Sequence, residues 1–131
     1  MSYSTDWATK RLVDEYFQHN RLIIAFDFDD TFPEVLGLLK RCQREINCKF
    51  ILYTCRAGET GKFNIPDALK ICRLNSIDPD AVNTDIVVDY QTLNHKIFYN
   101  ILLDDRAGLK EACKILSNAL NIIHDLNEDH G

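Results

Sequence analysis

The apolar segment at residues 22–26 is the feature that most constrains this chain, because it ends at a cluster of carboxylates. Its sequence, Leu-Ile-Ile-Ala-Phe, is rich in β-branched residues, which predicts a buried strand of a parallel sheet. Asp27 and Asp29 follow it directly. Residues two apart on an extended chain point to the same side, and neighbouring carboxylates repel unless one is protonated or a cation lies between them. The segment therefore predicts an acidic site with a divalent metal at the carboxyl end of a strand, where open α/β sheets hold their active sites.

Length and composition predict a single domain with a substantial core. The chain has 131 residues, of which 46% are apolar. The net charge of -5, without a run of Lys or Arg, argues against a nucleic-acid surface held by bulk charge. No segment approaches the roughly 18 apolar residues of a membrane helix, and the N-terminus has no basic region followed by an apolar one. We therefore expect a cytosolic protein without a membrane segment.

The cysteines give no sign of a disulfide framework, a zinc site or a thiol nucleophile. Their number is odd and no C-x-x-C pair occurs. None is followed six positions later by the Arg that a protein-tyrosine-phosphatase loop needs. We expect reduced, mostly buried thiols at these five positions: 42, 48, 55, 72 and 113.

The spacing of apolar residues predicts alternating strands and helices. In order, the predicted elements are an amphipathic helix at 4–19, the strand at 22–26, a helix at 33–47, a strand at 50–53, a helix at 66–75, a third strand at 81–82 or 86–88, a fourth strand at 98–103, a helix at 109–120 and an edge strand at 122–123. This alternation favours an α/β fold with a Rossmann-like, three-layer, doubly wound parallel sheet. We expect residues 1–20 to be a helix packed on a core domain at 21–131, with partner binding as the alternative use of that helix.

The predicted topology brings the ends of three strands into one crevice. Asp27, Asp29, Thr54, Asp104 and Asp105 each follow a predicted strand. Carboxylate, carbonyl and water oxygens suit the hard cation Mg²⁺, which would make this acidic crevice able to bind a phosphoryl group.

The same residues can divide the work of phosphoryl transfer between them. Asp27 can attack the phosphorus, while Asp29 protonates the leaving oxygen and later removes a proton from water. Thr54 can donate a hydrogen bond to a phosphoryl oxygen, and Lys96 can neutralise the charge that develops there.

Taken together, these residues resemble the four motifs of the haloacid dehalogenase-like phosphohydrolases. The motifs are Asp27-x-Asp29-x-Thr31 after an apolar strand, Thr54 after a second, Lys96, and the pair Asp104-Asp105 after a later strand. The resemblance spans residues 21 to 108 and is greatest to small capless members from bacteria and phages. It implies that Asp27 is the nucleophile and Asp29 the acid and base. It also implies that Mg²⁺ is held by Asp27, the main-chain carbonyl of Asp29 and Asp104, with support from Asp105.

Two features depart from the family pattern. Asp30 stands where members usually carry Gly, at a sharp turn; Asp tolerates unusual backbone angles better than most residues but adds a negative charge near the substrate. Members also insert a β-hairpin flap before the first helix, whereas here Pro33 follows Thr31 almost directly. Arg56 is a further candidate for substrate contact, as is Arg106, with an ion pair to a neighbouring acid as the equal alternative.

Three functions stay open at this point. The first is a magnesium-dependent phosphohydrolase with an aspartyl-phosphate intermediate, acting on small phosphomonoesters or on macromolecular phosphate ends. The second is a weak or silent relative that binds a partner. The third is a receiver-like signalling module, which is less favoured because its acceptor Asp would follow the third strand. The sequence gives no indication of oligomeric state.

Overall fold

The computed structural model describes residues 3–54, 64–84, 86 and 97–130, apart from the side chains of residues 3–5 and 129–130. Within these ranges the chain forms four helices and four strands. Their order is α1 (Tyr3–His19), β1 (Leu22–Phe26), α2 (Phe32–Glu45), β2 (Cys48–Leu52), α3 (Ile65–Leu74), β3 (Ala81–Val82), β4 (Ile101–Leu103) and α4 (Leu109–His130).

The four strands form one parallel sheet in the order β3-β2-β1-β4. β1 lies between two neighbours, which explains why all five of its residues are buried. The chain moves from β1 through β2 to β3 on one side, and β4 then pairs with the opposite side of β1. The ends of β1 and β4 thus flank the point at which the strand order reverses, where ligands bind in open α/β sheets.

Both faces of the sheet are covered. Alternate residues of β1 enter different clusters because strand side chains alternate with a period of two. Leu22, Ile24 and Phe26 belong to the main core, which includes buried residues of all four helices. Ile23 and Ala25 belong to the second cluster, with Ile51. Its partly buried members are Ala81, Ile86, Ile97, Phe98, Tyr99 and Leu102. The α/β class with a Rossmann-like parallel sheet, predicted from the sequence, is confirmed.

The N-terminal helix packs mainly along α4. Leu12, Val13 and Tyr16 are buried in the main core, as their helical spacing predicts. Phe17, the next residue after Tyr16, is 47% exposed and contacts the ring of Tyr16 edge-on.

The largest correction concerns the C-terminal segment. The predicted edge strand at 122–123 is wrong, because both residues lie within α4, which extends ten residues beyond the predicted end at 120. Apolar residues recur there at helical spacing, so Leu116, Leu120 and Ile123 are buried while Ile122 is exposed.

Smaller differences concern strand limits. β2 begins two residues earlier than predicted, at Cys48, because its five residues pair with all five of β1. β4 is shorter than predicted and begins at Ile101, because the side-chain oxygen of Asn100 accepts from the amide of Ile23 at 2.6 Å. The third strand lies at the first of its two predicted positions, 81–82; residue 86 is not in a strand, and 87–88 lie outside the described residues.

In the described part of the chain, no helix has both the length and the apolar character needed to cross a bilayer. The cytosolic location stays a prediction.

Candidate functional site

Strand register places Asp27 beside Asp104. Phe26 pairs with Leu103, and the ladder continues through a hydrogen bond from the amide of Asp27 to the carbonyl of Leu103 at 2.9 Å. The residue that follows each of these strands is an aspartate. Because the strands are in register, Asp27 and Asp104 lie side by side at the edge of the sheet.

The carboxylates of Asp27, Asp104 and Asp105 converge at this edge. One oxygen of each lies within 4.8 Å of the others. They border a cleft of about 120 Å³ whose remaining described lining is Asp29, Asp30 and Arg106. Three carboxylate oxygens at this spacing are hard donors of the kind that Mg²⁺ prefers.

The cluster changes the ionisation of Asp27. Burial and the nearby carboxylate of Asp104 raise the pKa of Asp27 from 3.8 to about 6, with smaller contributions from Asp105 and Asp29. A hydrogen bond from the backbone of Phe28 acts in the opposite direction. A raised pKa is expected where carboxylates are held together without a cation between them.

Thr31 connects the acidic residues. It belongs to the first sequence motif, but the motif alone does not predict this connecting role. Its hydroxyl is fully buried and lies 3.4 Å from Asp27 Oδ2 and 3.3 Å from Asp105 Oδ1. The amide of Asp105 donates to the same hydroxyl at 3.1 Å. Although Thr31 precedes α2, its side chain makes no capping hydrogen bond to that helix. Its hydroxyl instead forms hydrogen bonds with Asp27 and Asp105.

The turn between β1 and α2 is tight. Asp30 has a φ of +59°, the left-handed conformation that favours Gly, so the sharp turn expected at this position is confirmed. The carbonyl of Phe28 accepts from the amides of Thr31 and Phe32. Because α2 begins at Phe32, only residues 27–31 separate it from β1. These residues contain no flap, as the sequence indicates.

Thr54 follows β2 and is buried, 7% exposed. The side chain of Asn83 accepts from the amide of Thr54 at 2.8 Å and donates to its carbonyl at 2.9 Å. Asn83 has a φ of +52°, which Asn adopts more readily than most residues. Asn83 is not among the site residues predicted from the sequence; the available signal is an Asn next to a short strand, a common turn position.

The remaining predicted site residues are not brought into the acidic cluster by the described structure. Lys96 and Arg56 lie outside the described residues. Asp29 and Asp30 are exposed and line the cleft. Arg106 is also exposed, and its backbone amide donates to Asp104 Oδ1 at 3.0 Å, which fixes that carboxylate.

The described cysteines are unsuited to nucleophilic chemistry. Cys42 and Cys72 are buried, Cys48 and Cys113 are half-buried, and none of these four described cysteines forms a disulfide. Burial raises the pKa of Cys48 to about 11 and also raises the pKa of Cys42 and Cys113. Since the thiolate is the reactive form, the thiols of Cys42, Cys48 and Cys113 stay protonated near neutral pH. Cys55 lies outside the described residues.

Comparisons with known proteins support the fold and do not name an activity. Neither protein-family models nor curated proteins match this chain. A solved structure that is similar is a conserved protein coded by a locus of Bacteroides thetaiotaomicron, with a TM-score of 0.52 and 28% sequence identity. The match covers 66% of this chain and 78% of that one. The resemblance to haloacid dehalogenase-like phosphohydrolases stays a prediction carried by the motifs.

Proposed function

We propose that the protein is a magnesium-dependent phosphomonoester phosphatase of the capless haloacid dehalogenase-like type, acting through an aspartyl-phosphate. One observation carries this proposal. The carboxylates of Asp27, Asp104 and Asp105 converge where the strand order reverses. The cleft there is too acidic to attract a phosphate group without a cation.

The residues that would hold Mg²⁺ are Asp27, Asp104 and Asp105, with the main-chain carbonyl of Asp29. When bound, the ion would offset the charge of the cluster and of the phosphoryl oxygens. The convergence of Asp27 and Asp104 in the described residues supports this assignment.

The reaction has two steps. A carboxylate oxygen of Asp27 attacks phosphorus, and the bond from phosphorus to the ester oxygen breaks while Asp29 gives its proton to that oxygen. Asp29 then takes a proton from water, the water oxygen attacks phosphorus, and the bond to Asp27 breaks to release phosphate. Asp27 is regenerated as a carboxylate. The exposed position of Asp29 beside the cleft is compatible with exchange of its proton with solvent.

Residues near Asp27 and Asp29 would position the phosphoryl group. Thr54 is proposed to donate a hydrogen bond to a phosphoryl oxygen, and Asn83 holds the Thr54 backbone in place. Lys96 keeps the role that its motif predicts, which is to neutralise charge on the transferring group. Arg56 stays a candidate for substrate contact, with an ion pair to a neighbouring acid as the alternative.

The test is a phosphate-release assay on the wild type and Asp27→Asn, with and without magnesium, on a panel of phosphomonoesters. We expect magnesium-dependent release that falls at least about 1000-fold in the variant, because the nucleophile is lost. Asp125→Asn, which removes an exposed charge on α4, is the matched control and should retain activity. Undiminished turnover by Asp27→Asn would contradict the mechanism.

A second candidate is a weak or silent relative that binds a partner, and the short 27–31 connection favours it. A flap would exclude water from the cleft and help to position the acid and base, and residues 27–31 contain none. Magnesium binding without a phosphoryl-enzyme would identify this case. A receiver-like module, the least supported candidate, would instead accumulate a long-lived phosphoryl-enzyme.

A further inference from the structure

A second depression adjoins the acidic cleft. It is a groove of about 580 Å³ between the first turns of α2 and α4. Asp105 lines both the cleft and the groove. A group attached to a phosphate at the cluster therefore has open space in this direction, and the volume is typical of sites for small molecules. The groove is lined by Glu34, Asp105, Gly108, Leu109, Lys110, Glu111 and Cys113.

The described lining is strongly negative. Five acidic side chains line the cleft, and Glu34 and Glu111 of the groove raise the number to seven. Lys110 and Arg106 are the basic side chains among these described residues. The formal excess is therefore five negative charges, which one divalent cation reduces to three. A substrate that brings further negative charge next to its phosphate would be repelled.

The N-termini of α2 and α4 add to this discrimination against anionic substrates. The N-terminus of a helix carries partial positive charge and ordinarily attracts anions. Here Glu34 occupies the first turn of α2 and Glu111 the first turn of α4. Because the protein's own carboxylates compensate both ends, the groove does not offer them to a second anionic group of a substrate.

The groove also has a small apolar wall. Leu109 and Cys113 are half-buried and line it beside the two glutamates. An aliphatic chain two or three atoms long can contact this wall while a terminal ammonium group remains near the carboxylates, as Lys side chains do when they cover apolar surface.

Building on the proposed phosphatase function, we infer that the site selects phosphomonoesters of small aliphatic amino alcohols, with the leaving group in the groove and its ammonium near Glu34 and Glu111. Nucleic-acid ends and acidic phosphopeptides are poor substrates, because their neighbouring anionic groups would enter the same negative groove.

The experiment compares kcat/KM for three substrates of similar size: 2-aminoethyl phosphate, n-propyl phosphate and phosphoglycolate. Their leaving groups are cationic, neutral and anionic. An ammonium group also makes the alcohol a better leaving group, which raises the rate without any contact to the groove. The deciding quantity is therefore the change, on mutation, in the ratio of kcat/KM for 2-aminoethyl phosphate to kcat/KM for n-propyl phosphate. We expect Glu34→Gln/Glu111→Gln to lower this ratio about fivefold, the range for exposed charge pairs. Glu128→Gln, at the far end of α4, is the matched control and should leave the ratio unchanged.

The outcomes separate this inference from the proposed function. A general loss of activity or folding would lower both rates and leave the ratio intact, which would contradict the inference. So would equal ratios in all variants, or faster release from phosphoglycolate or a 3′-phosphorylated oligonucleotide than from 2-aminoethyl phosphate. In those cases the phosphatase assignment survives. Absence of magnesium-dependent release from every substrate would overturn both.

Discussion

The buried hydroxyl of Thr31 accepts a hydrogen bond from the amide of Asp105 at 3.1 Å, and so joins the start of α2 to the end of β4. The same oxygen lies within hydrogen-bond distance of the carboxylates of Asp105 and Asp27. A hydroxyl has one proton to donate, so the two carboxylates compete for it. Thr31 thereby fixes the spacing of the two strand ends on which the proposed metal site depends.

Thr31→Val tests this connection. Valine preserves the shape but leaves the amide of Asp105 without its partner, which costs about 1–2 kcal/mol in the free energy of unfolding. We expect magnesium affinity to fall as well, since Asp105 is no longer held. Thr31→Ser retains the hydroxyl and is the control. If thermal unfolding and calorimetry show the valine variant to be as stable and as tight a magnesium binder as the serine variant, Thr31 has no such role.

The sequence predicts structure best where a pattern of apolar residues fits only one type of secondary structure. The apolar run at 22–26 predicts a strand buried on both faces, and the structure places it in the middle of the sheet. The pattern was ambiguous at 122–123, where two adjacent apolar residues fit either a strand or a helix. Over the longer stretch from Leu116 the apolar residues recur at helical spacing, and the packing of α4 along α1 brings Ile123 into the core.

The site was predictable in composition but not in its hydrogen bonds. Parallel strands gather their carboxyl ends, so the meeting of Asp27 with Asp104 follows from topology. The parts played by Thr31 and Asn83 depend on side chains that reach across to other elements. A sequence alone does not specify such cross-element partners, because register and rotamer determine them.

Asp30→Gly should stabilise the fold. Asp30 adopts a φ of +59°, where Gly is free of the steric cost that other residues pay. The substitution also removes one negative charge from the cleft. We expect a gain of about 0.5–1 kcal/mol in the free energy of unfolding and a lower KM for phosphomonoesters. Asp30→Asn removes the charge but keeps the Cβ, so it separates the two effects. A glycine variant less stable than the wild type would contradict the strain argument.

Asn83→Ala should disturb Thr54 without contacting substrate. It removes both side-chain hydrogen bonds to the Thr54 backbone and places alanine at a φ of +52°. We expect a loss of about 2 kcal/mol in stability and a fall in kcat larger than the rise in KM. Asn83→Gly relieves the backbone strain of the alanine variant but does not restore the two hydrogen bonds. It should therefore recover part of the stability and little of the activity. Recovery of full kcat by the glycine variant would show that Asn83 serves the turn alone.

The pKa of Asp27 gives the metal-free protein and the metal complex opposite pH dependences. Folding raises this pKa from 3.8 to about 6, so between these values the folded state binds more protons than the unfolded state. Without metal, stability is therefore lost as the pH rises through about 6, by about 1 kcal/mol once solvent screening of a partly exposed group is allowed for. Magnesium needs the carboxylate form, so its apparent affinity should fall up to about tenfold per pH unit below 6.

Melting temperatures at pH 5 and 7.5, measured in chelator and in magnesium, check both signs. In chelator, Asp27→Asn should remove the extra stability of the wild type at pH 5 relative to pH 7.5, because the amide does not titrate. Asp125→Asn should leave that difference unchanged. In magnesium, the wild type should gain more stability at pH 7.5 than at pH 5, since protons and the cation compete for the same carboxylate. An equal gain at the two pH values would mean that Asp27 is not a ligand of the ion.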